Sequence, residues 1–96
     1  MDLKSFIRDV PDYPSAGILF RDLTPVMANP QAMRHVTETL CVHLSKKGIQ
    51  VIAAIDARGF IFGAPVAAEL GVPLVPLRKS GKLPPPVVGV DYALEY

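Results

Sequence analysis

The stretch VIAAIDARGFIFGAPVAAEL, Val51 to Leu70, decides the fold. Val51 to Ile55 is apolar without a break, and five such residues read as a strand buried on both faces, as in a parallel sheet. The run stops at Asp56-Ala57-Arg58-Gly59. Apolar residues with helical spacing then continue to Leu70, and Gly71 is placed to end that helix. Pro65 is expected near its first turn, because deeper in a helix it deletes a hydrogen bond and clashes. Strand, short turn, helix puts the N–H groups of the helix start beyond the strand's C-terminal end. In an open α/β sheet, anions bind there. Gly59 lets the backbone approach a ligand, and Arg58 adds a fork of fixed donors. On spacing alone, an ordinary strand–helix connection with a solvated arginine reads equally well.

The flanking segments extend the pattern. Leu74 to Leu77 reads as a second strand soon after Leu70, which makes one βαβ unit with a right-handed crossover. Upstream, Asn29-Pro30 pairs an N-cap with proline at the first helical position. The helix it opens is expected to run to about Lys47, with Met33, Val36, Leu40 and Leu44 on one face and Gly48 as the residue past its end. Thr24-Pro25 gives the same signal for a brief helical turn. Leu3, Phe6, Ile7 and Val10 recur at helical spacing, so Asp2 to Val10 is expected as a short amphipathic helix ended by Pro11 and Pro14. Gly17 marks a turn before a short extended segment through Phe20. Beyond Arg78, the basic residues and Pro84 to Pro86 predict a long loop. Val87 to Val90 and Asp91 to Tyr96 alternate enough for an extended hairpin.

Bulk composition narrows the function classes. The chain has 96 residues, half of them apolar, and a net charge of +1. A domain this small leaves roughly 40% of its unfolded surface exposed, so its apolar content is hard to hide. It is expected to associate through an apolar face, or to lack residues that should cover that face. A charge of +1 gives no electrostatic reason for nucleic-acid binding. No apolar run approaches the roughly 18 to 20 residues of a membrane span. Asp2 directly after Met1, with charges through the first stretch, predicts no secretory leader. A lone Cys41 allows no intramolecular disulfide and fits a reducing compartment, where it serves as a small buried hydrophobe. The expected setting is soluble and cytoplasmic, with no nucleic-acid and no membrane partner. His35 and His43 project about 80° apart on one helix and lack a ligand set around them, so no protein metal site is expected.

Three further segments carry candidate chemistry. Phe20-Arg21-Asp22-Leu23-Thr24-Pro25 reads either as a core phenylalanine beside a surface ion pair or as an aromatic platform for a flat ligand. Arg78-Lys79-Ser80-Gly81-Lys82 reads as a solvated charge run. It also leaves the same sheet edge as the Asp56–Gly59 turn, where two basic sites suit a polyanionic small molecule. Leu94-Glu95-Tyr96 holds a carboxylate that, by itself, is a surface residue.

Taken together, DYPSAGILFRDLTP (Asp12 to Pro25), DARGFIFGAPVA (Asp56 to Ala67), RKSGKLP (Arg78 to Pro84) and YALEY (Tyr92 to Tyr96) resemble the adenine phosphoribosyltransferases, in the family's order and spacing. The resemblance implies an α/β fold. It consists of a partial parallel sheet with flanking helices, an incomplete type I phosphoribosyltransferase-like core, with N-terminal hood elements and a C-terminal extended hairpin. Residues 1–29 would be a hood and base-recognition segment, 30–77 the helix and βαβ core, and 78–96 a mobile catalytic loop. The implied reaction is adenine plus phosphoribosyl pyrophosphate giving AMP plus pyrophosphate, in purine salvage. Magnesium would be carried by the donor, with no protein ligands in this chain. By resemblance, Phe20 stacks on adenine while the backbones of Leu19 and Arg21 read its edge. Asp56, Ala57, Arg58, Lys79, Lys82 and Tyr96 contact the phosphoribosyl donor. The Asp56–Ala57 bond matches the family's non-proline cis peptide. Glu95 is the acid/base candidate, and a homodimer is implied. The family's Thr-Gly-Gly-Thr loop, which holds the 5′-phosphate, and its adjacent acidic pair, which holds the ribose hydroxyls, have no counterpart here. The chain therefore reads as the N-terminal part of such an enzyme, inactive alone. The alternative is a non-catalytic nucleobase-binding or dimerisation module. A transcriptional relative is disfavoured, since helix-turn-helix and basic-stripe patterns are missing.

Overall fold

The computed structural model describes residues 1–92; Glu95 and Tyr96, with the second half of the expected hairpin, lie outside the described residues. The chain forms two compact units, Met1–Ile49 and Gln50–Tyr96.

In the first unit the expected helix over Asp2 to Val10 is replaced by a single 3-10 turn, Leu3–Phe6, and a strand, β1 (Arg8–Pro11). Asp2 caps the turn by accepting from the Lys4 N–H. Two physical facts override the helical spacing. Val10 precedes a proline, which disfavours the helical region for it. Arg8 and Asp9 also find opposite charges across a ladder: β1 pairs antiparallel with β2 (Leu19–Asp22), placing Arg8 opposite Asp22 and Asp9 opposite Arg21. The connecting loop turns at Asp12 (φ 56°) and Gly17 (φ 84°), and the Asp12 carboxylate accepts from the Gly17 N–H.

The brief helix α1 (Thr24–Met27) forms as expected, but Thr24 is its first residue, and the carboxylate that serves its start lies two residues before the predicted cap. The Asp22 carboxylate accepts from both the Thr24 N–H and the Thr24 hydroxyl, at 2.9 and 2.8 Å. Helix α2 (Pro30–Ser45) starts at Asn29, whose side chain accepts from the Ala32 N–H, and Gly48 takes a left-handed φ of 65° just past its end. Its buried positions are Ala32 and Cys41; Leu40, assigned by spacing to the apolar face, is exposed.

The second unit is the predicted βαβ. Strand β3 (Ile52–Ile55), helix α3 (Arg58–Leu70) and strand β4 (Leu74–Leu77) follow in order, and β3 pairs with β4 in parallel with Ile55 opposite Leu77. Gly71 ends α3 in the left-handed region at φ 70°. Helix and sheet approach closely at Gly63, where a Cβ would lie only 2.8 Å from that of Ala54, which is buried. Gly63 therefore sets the spacing between α3 and β3. Two expectations fail here. β3 is not buried on both faces, since Ala54 is covered but Ile55 is 66% exposed. Pro65 lies inside α3 and not in its first turn. Having no N–H, it withholds the helical bond that the Ile61 carbonyl would otherwise accept from position 65.

The expected strand Val87 to Val90 is also absent: the described residues 83–92 carry no regular element. A strand persists only when its backbone groups find partners, and no described residue pairs with this segment. The core of the described residues is small-sided: Val26, Ala32, Cys41, Ala54, Val66 and Ala67. Among the described residues, no helix is long and apolar enough to cross a membrane.

Candidate functional site

The candidate residues fall in both units, and each set is built locally. In the second unit the parallel register brings two chain segments out of one sheet edge. Asp56 follows Ile55 and Arg78 follows Leu77, and the Asp56 N–H donates to the Leu77 carbonyl at 2.9 Å. Their side chains then meet. Arg78 Nε donates to Asp56 Oδ2 at 3.0 Å, and Arg78 Nη1 donates to the Lys82 carbonyl at 3.1 Å. The Asp56–Ala57 peptide is cis.

Arg58 is the first residue of α3, exposed, with no ion-pair partner among the described residues. No side chain caps this helix start. The Phe60 N–H turns back to the Ala57 carbonyl at 3.1 Å, which leaves the N–H groups of Arg58 and Gly59 and the adjacent guanidinium for an anion at the C-terminal edge of the sheet. Gly59 departs from its expected role. The position of its missing Cβ faces Ala54 at 3.6 to 3.8 Å, ordinary contact distance, so the glycine opens no ligand approach. Lys79 and Lys82 are exposed at the two ends of a turn closed by the Lys82 N–H donating to the Lys79 carbonyl at 3.1 Å. Gly81 between them has φ 84°, which a type II turn requires at its third position.

In the first unit, Leu19, Phe20 and Arg21 lie on β2. Pro11 opposes Leu19 and has no N–H to give to a ladder. The Ile18 carbonyl accepts from Tyr13 across the loop. Both facts assign Phe20 to the paired backbone positions, and leave the N–H and C=O of Leu19 and Arg21 facing away from β1. Phe20 is half-buried and meets Tyr13 edge-on, with ring centroids 5.2 Å apart and planes at 74°. The Arg21 guanidinium pairs with Asp9 at 3.2 Å, both exposed. The ion pairs therefore run across the strands, Arg8 to Asp22 and Arg21 to Asp9.

Sequence reasoning did not find the contacts of three residues, Asp22, Tyr13 and Arg78. Asp22 is buried and holds Arg8 at 3.0 Å besides capping α1. Its carboxyl is held below the usual range chiefly by the Thr24 N–H, then by the Thr24 hydroxyl and Arg8, against the opposing effect of burial. The mirrored charges of Arg8-Asp9 and Arg21-Asp22 were a legible signal for it. Tyr13 and Arg78 were visible in the sequence, but their partners were not. Among the described residues no three His, Cys, Asp or Glu side chains gather as metal ligands.

No family model matches the chain. It is 55% identical over all 96 residues to an adenine phosphoribosyltransferase of Thermosynechococcus vestitus, covering 56% of that protein. The crystal structure of adenine phosphoribosyltransferase from Thermoanaerobacter pseudethanolicus superposes with a TM-score of 0.92 at 46% identity, over 99% of this chain and 55% of that one. The Saccharomyces cerevisiae adenine phosphoribosyltransferase, complexed with adenine and D-2,5-dideoxy-2,5-imino-altritol 1,6-bisphosphate, gives 0.83 at 39% identity, over 88% and 52%. The chain thus spans about half the length of the relatives it matches. Over its whole length it is similar to the N-terminal portion of adenine phosphoribosyltransferases.

Proposed function

We propose that this chain is the base-recognition and diphosphate-binding part of an enzyme that makes AMP and pyrophosphate from adenine and phosphoribosyl pyrophosphate. The observation that carries the reading is the shared sheet edge, where the uncapped start of α3 with Arg58 stands beside the Lys79–Lys82 turn. In the transfer, the bond from the ribosyl C1 to the leaving diphosphate breaks and the bond to N9 of adenine forms. Charge builds on the departing diphosphate, so fixed donors already aimed at it lower the barrier. Arg58 matches paired phosphate oxygens with a planar fork; Lys79, Lys82 and Tyr96 supply further contacts.

Adenine stacks on Phe20, and the outward backbone groups of Leu19 and Arg21 read its edge. Glu95 takes the N9 proton as general base. Magnesium fits this site only as an ion brought by the donor's own oxygens, because Asp56, the carboxylate of this edge, is engaged by Arg78. The working form is a cytoplasmic homodimer serving purine salvage. Residues 1–29 act as the base-recognition hood, 30–77 as the core and 78–96 as the catalytic loop.

Calorimetric titration of the chain with adenine and, separately, with inorganic pyrophosphate tests the reading. Phe20→Ala is expected to lose adenine alone, and Arg58→Ala pyrophosphate alone. Unchanged pyrophosphate affinity in Arg58→Ala would remove the diphosphate assignment.

A further inference from the structure

We infer that Arg78 is a positioning residue: its guanidinium holds the Lys79–Lys82 turn against the end of β3, so that the cations of two chain segments act as one diphosphate site. The inference rests on the diphosphate reading above and gives Arg78 a role distinct from ligand contact. Its guanidinium faces protein on two sides. Nε is spent on Asp56 at 3.0 Å, at the end of β3, and Nη1 on the Lys82 carbonyl at 3.1 Å, at the far end of the turn. The turn is closed on itself by the Lys82 N–H to the Lys79 carbonyl. Arg78 thus links three points: β4, from which it emerges, β3 through Asp56, and the closing residue of the turn.

The chemistry requires such a link. A lysine ammonium is a point charge on a long rotatable stem, so its position is set by where its backbone is held. A diphosphate has two phosphoryl groups. It gains from two cationic segments only if their separation is fixed before it arrives; otherwise ordering them costs affinity. An orthophosphate needs only one segment and gains nothing from the link. Arginine alone among the cationic side chains can hold both acceptors at once with donors in a rigid plane. A lysine there keeps the charge and loses the geometry. As a partly exposed ion pair the contact adds little to overall stability, so its effect is expected in ligand discrimination.

The test uses the chain with inorganic pyrophosphate and orthophosphate as probes, and the variants Arg78→Ala and Arg78→Lys. Pyrophosphate affinity is expected to fall about tenfold in both, orthophosphate affinity to change less than about twofold, and the melting temperature to stay within a few degrees. Amide hydrogen exchange at Lys82, measured without ligand, is expected to speed up in both variants while Ile52 in β3, whose N–H donates to the Pro73 carbonyl at 2.9 Å, stays protected. Arg78→Lys binding pyrophosphate like the unsubstituted chain would reduce Arg78 to a mere charge and overturn the inference. So would equal losses for both anions, or unchanged exchange at Lys82. If the unsubstituted chain showed no preference for pyrophosphate over orthophosphate, the diphosphate reading itself would fall, and Lys82 exchange would still decide whether Arg78 holds the turn.

Discussion

Two glycines on helix α3 face the same residue of β3, and substituting each by alanine should have opposite effects. At Gly63 a new Cβ would lie 2.8 Å from the Ala54 Cβ, with Leu74 Cδ1 at 3.5 Å and Ile52 Cγ2 at 3.7 Å. Carbon atoms settle at about 3.5–4.0 Å, so helix and strand must part by roughly 1 Å. Neither atom of the clash can rotate away, because each is fixed directly to backbone. The cost therefore belongs at the upper end of the about 1–3 kcal/mol typical of overpacking. Replacing glycine by alanine within a helix returns about 1 kcal/mol. The net loss for Gly63→Ala is then about 1–2 kcal/mol. At Gly59 the nearest atom is the Ala54 carbonyl carbon at 3.6 Å, so no clash arises and the helical gain stands, at about 0.5 kcal/mol near a helix end. For a chain of this size a difference of about 2 kcal/mol corresponds to roughly 10 °C or more in melting temperature. Thermal melts followed by far-ultraviolet circular dichroism would resolve it. Adding Ala54→Gly to Gly63→Ala should recover part of the loss, as a favourable coupling. Gly63→Ala melting at or above Gly59→Ala would refute close packing of α3 on β3.

Other outcomes follow from single contacts. Because the Asp22 pKa is lowered by Thr24 and Arg8, its contribution to stability is complete above the unfolded value of about 3.9 and is lost as pH falls through the lower folded value. Acid melts of Asp22→Asn should show a shallower loss over that window than the unsubstituted chain. Exposed Ile55, Val75 and Leu77 on one small sheet predict self-association, which light scattering checks; a clean monomer mass at high concentration would count against it. In an enzyme carrying this chain as its N-terminal part, Arg58→Lys should lower kcat/KM for the phosphoribosyl donor and leave adenine affinity unmoved, because it keeps charge and loses the fork. In the same setting Glu95→Gln should lower kcat about 10²- to 10⁴-fold if it handles the N9 proton, and steady-state rates at saturating substrates would expose an unchanged kcat.

The legible parts of this chain were those whose signals are local. Asn29-Pro30, Gly71 and the apolar run into Asp56 each act through backbone geometry within a few residues, and the elements they mark appear with the expected order and parallel pairing. The failures share a different cause. Whether Leu3 to Val10 becomes a helix or a turn and a strand depends on partners some fourteen residues away, Asp22 for Arg8 above all. Hydrophobic spacing carries no information about that partner. Opposite charges at Arg8-Asp9 and Arg21-Asp22 do, because antiparallel register reverses the order of one dipeptide against the other. Pro65 was misplaced for a similar reason. An interior proline costs one helical bond and a clash with the carbonyl four residues back, and what offsets that cost is the burial of the neighbouring Val66 and Ala67, which local sequence does not show. At the candidate site the same division holds. Arg58 at a strand–helix turn was readable because its position follows from two adjacent elements. The Arg78 contacts were not, since they join residues 22 apart and end on a backbone carbonyl that no sequence pattern marks. A basic run after a parallel strand is therefore better read by asking which acidic residue ends the neighbouring strand: the first arginine goes to that carboxylate, and only the lysines beyond it remain for a ligand.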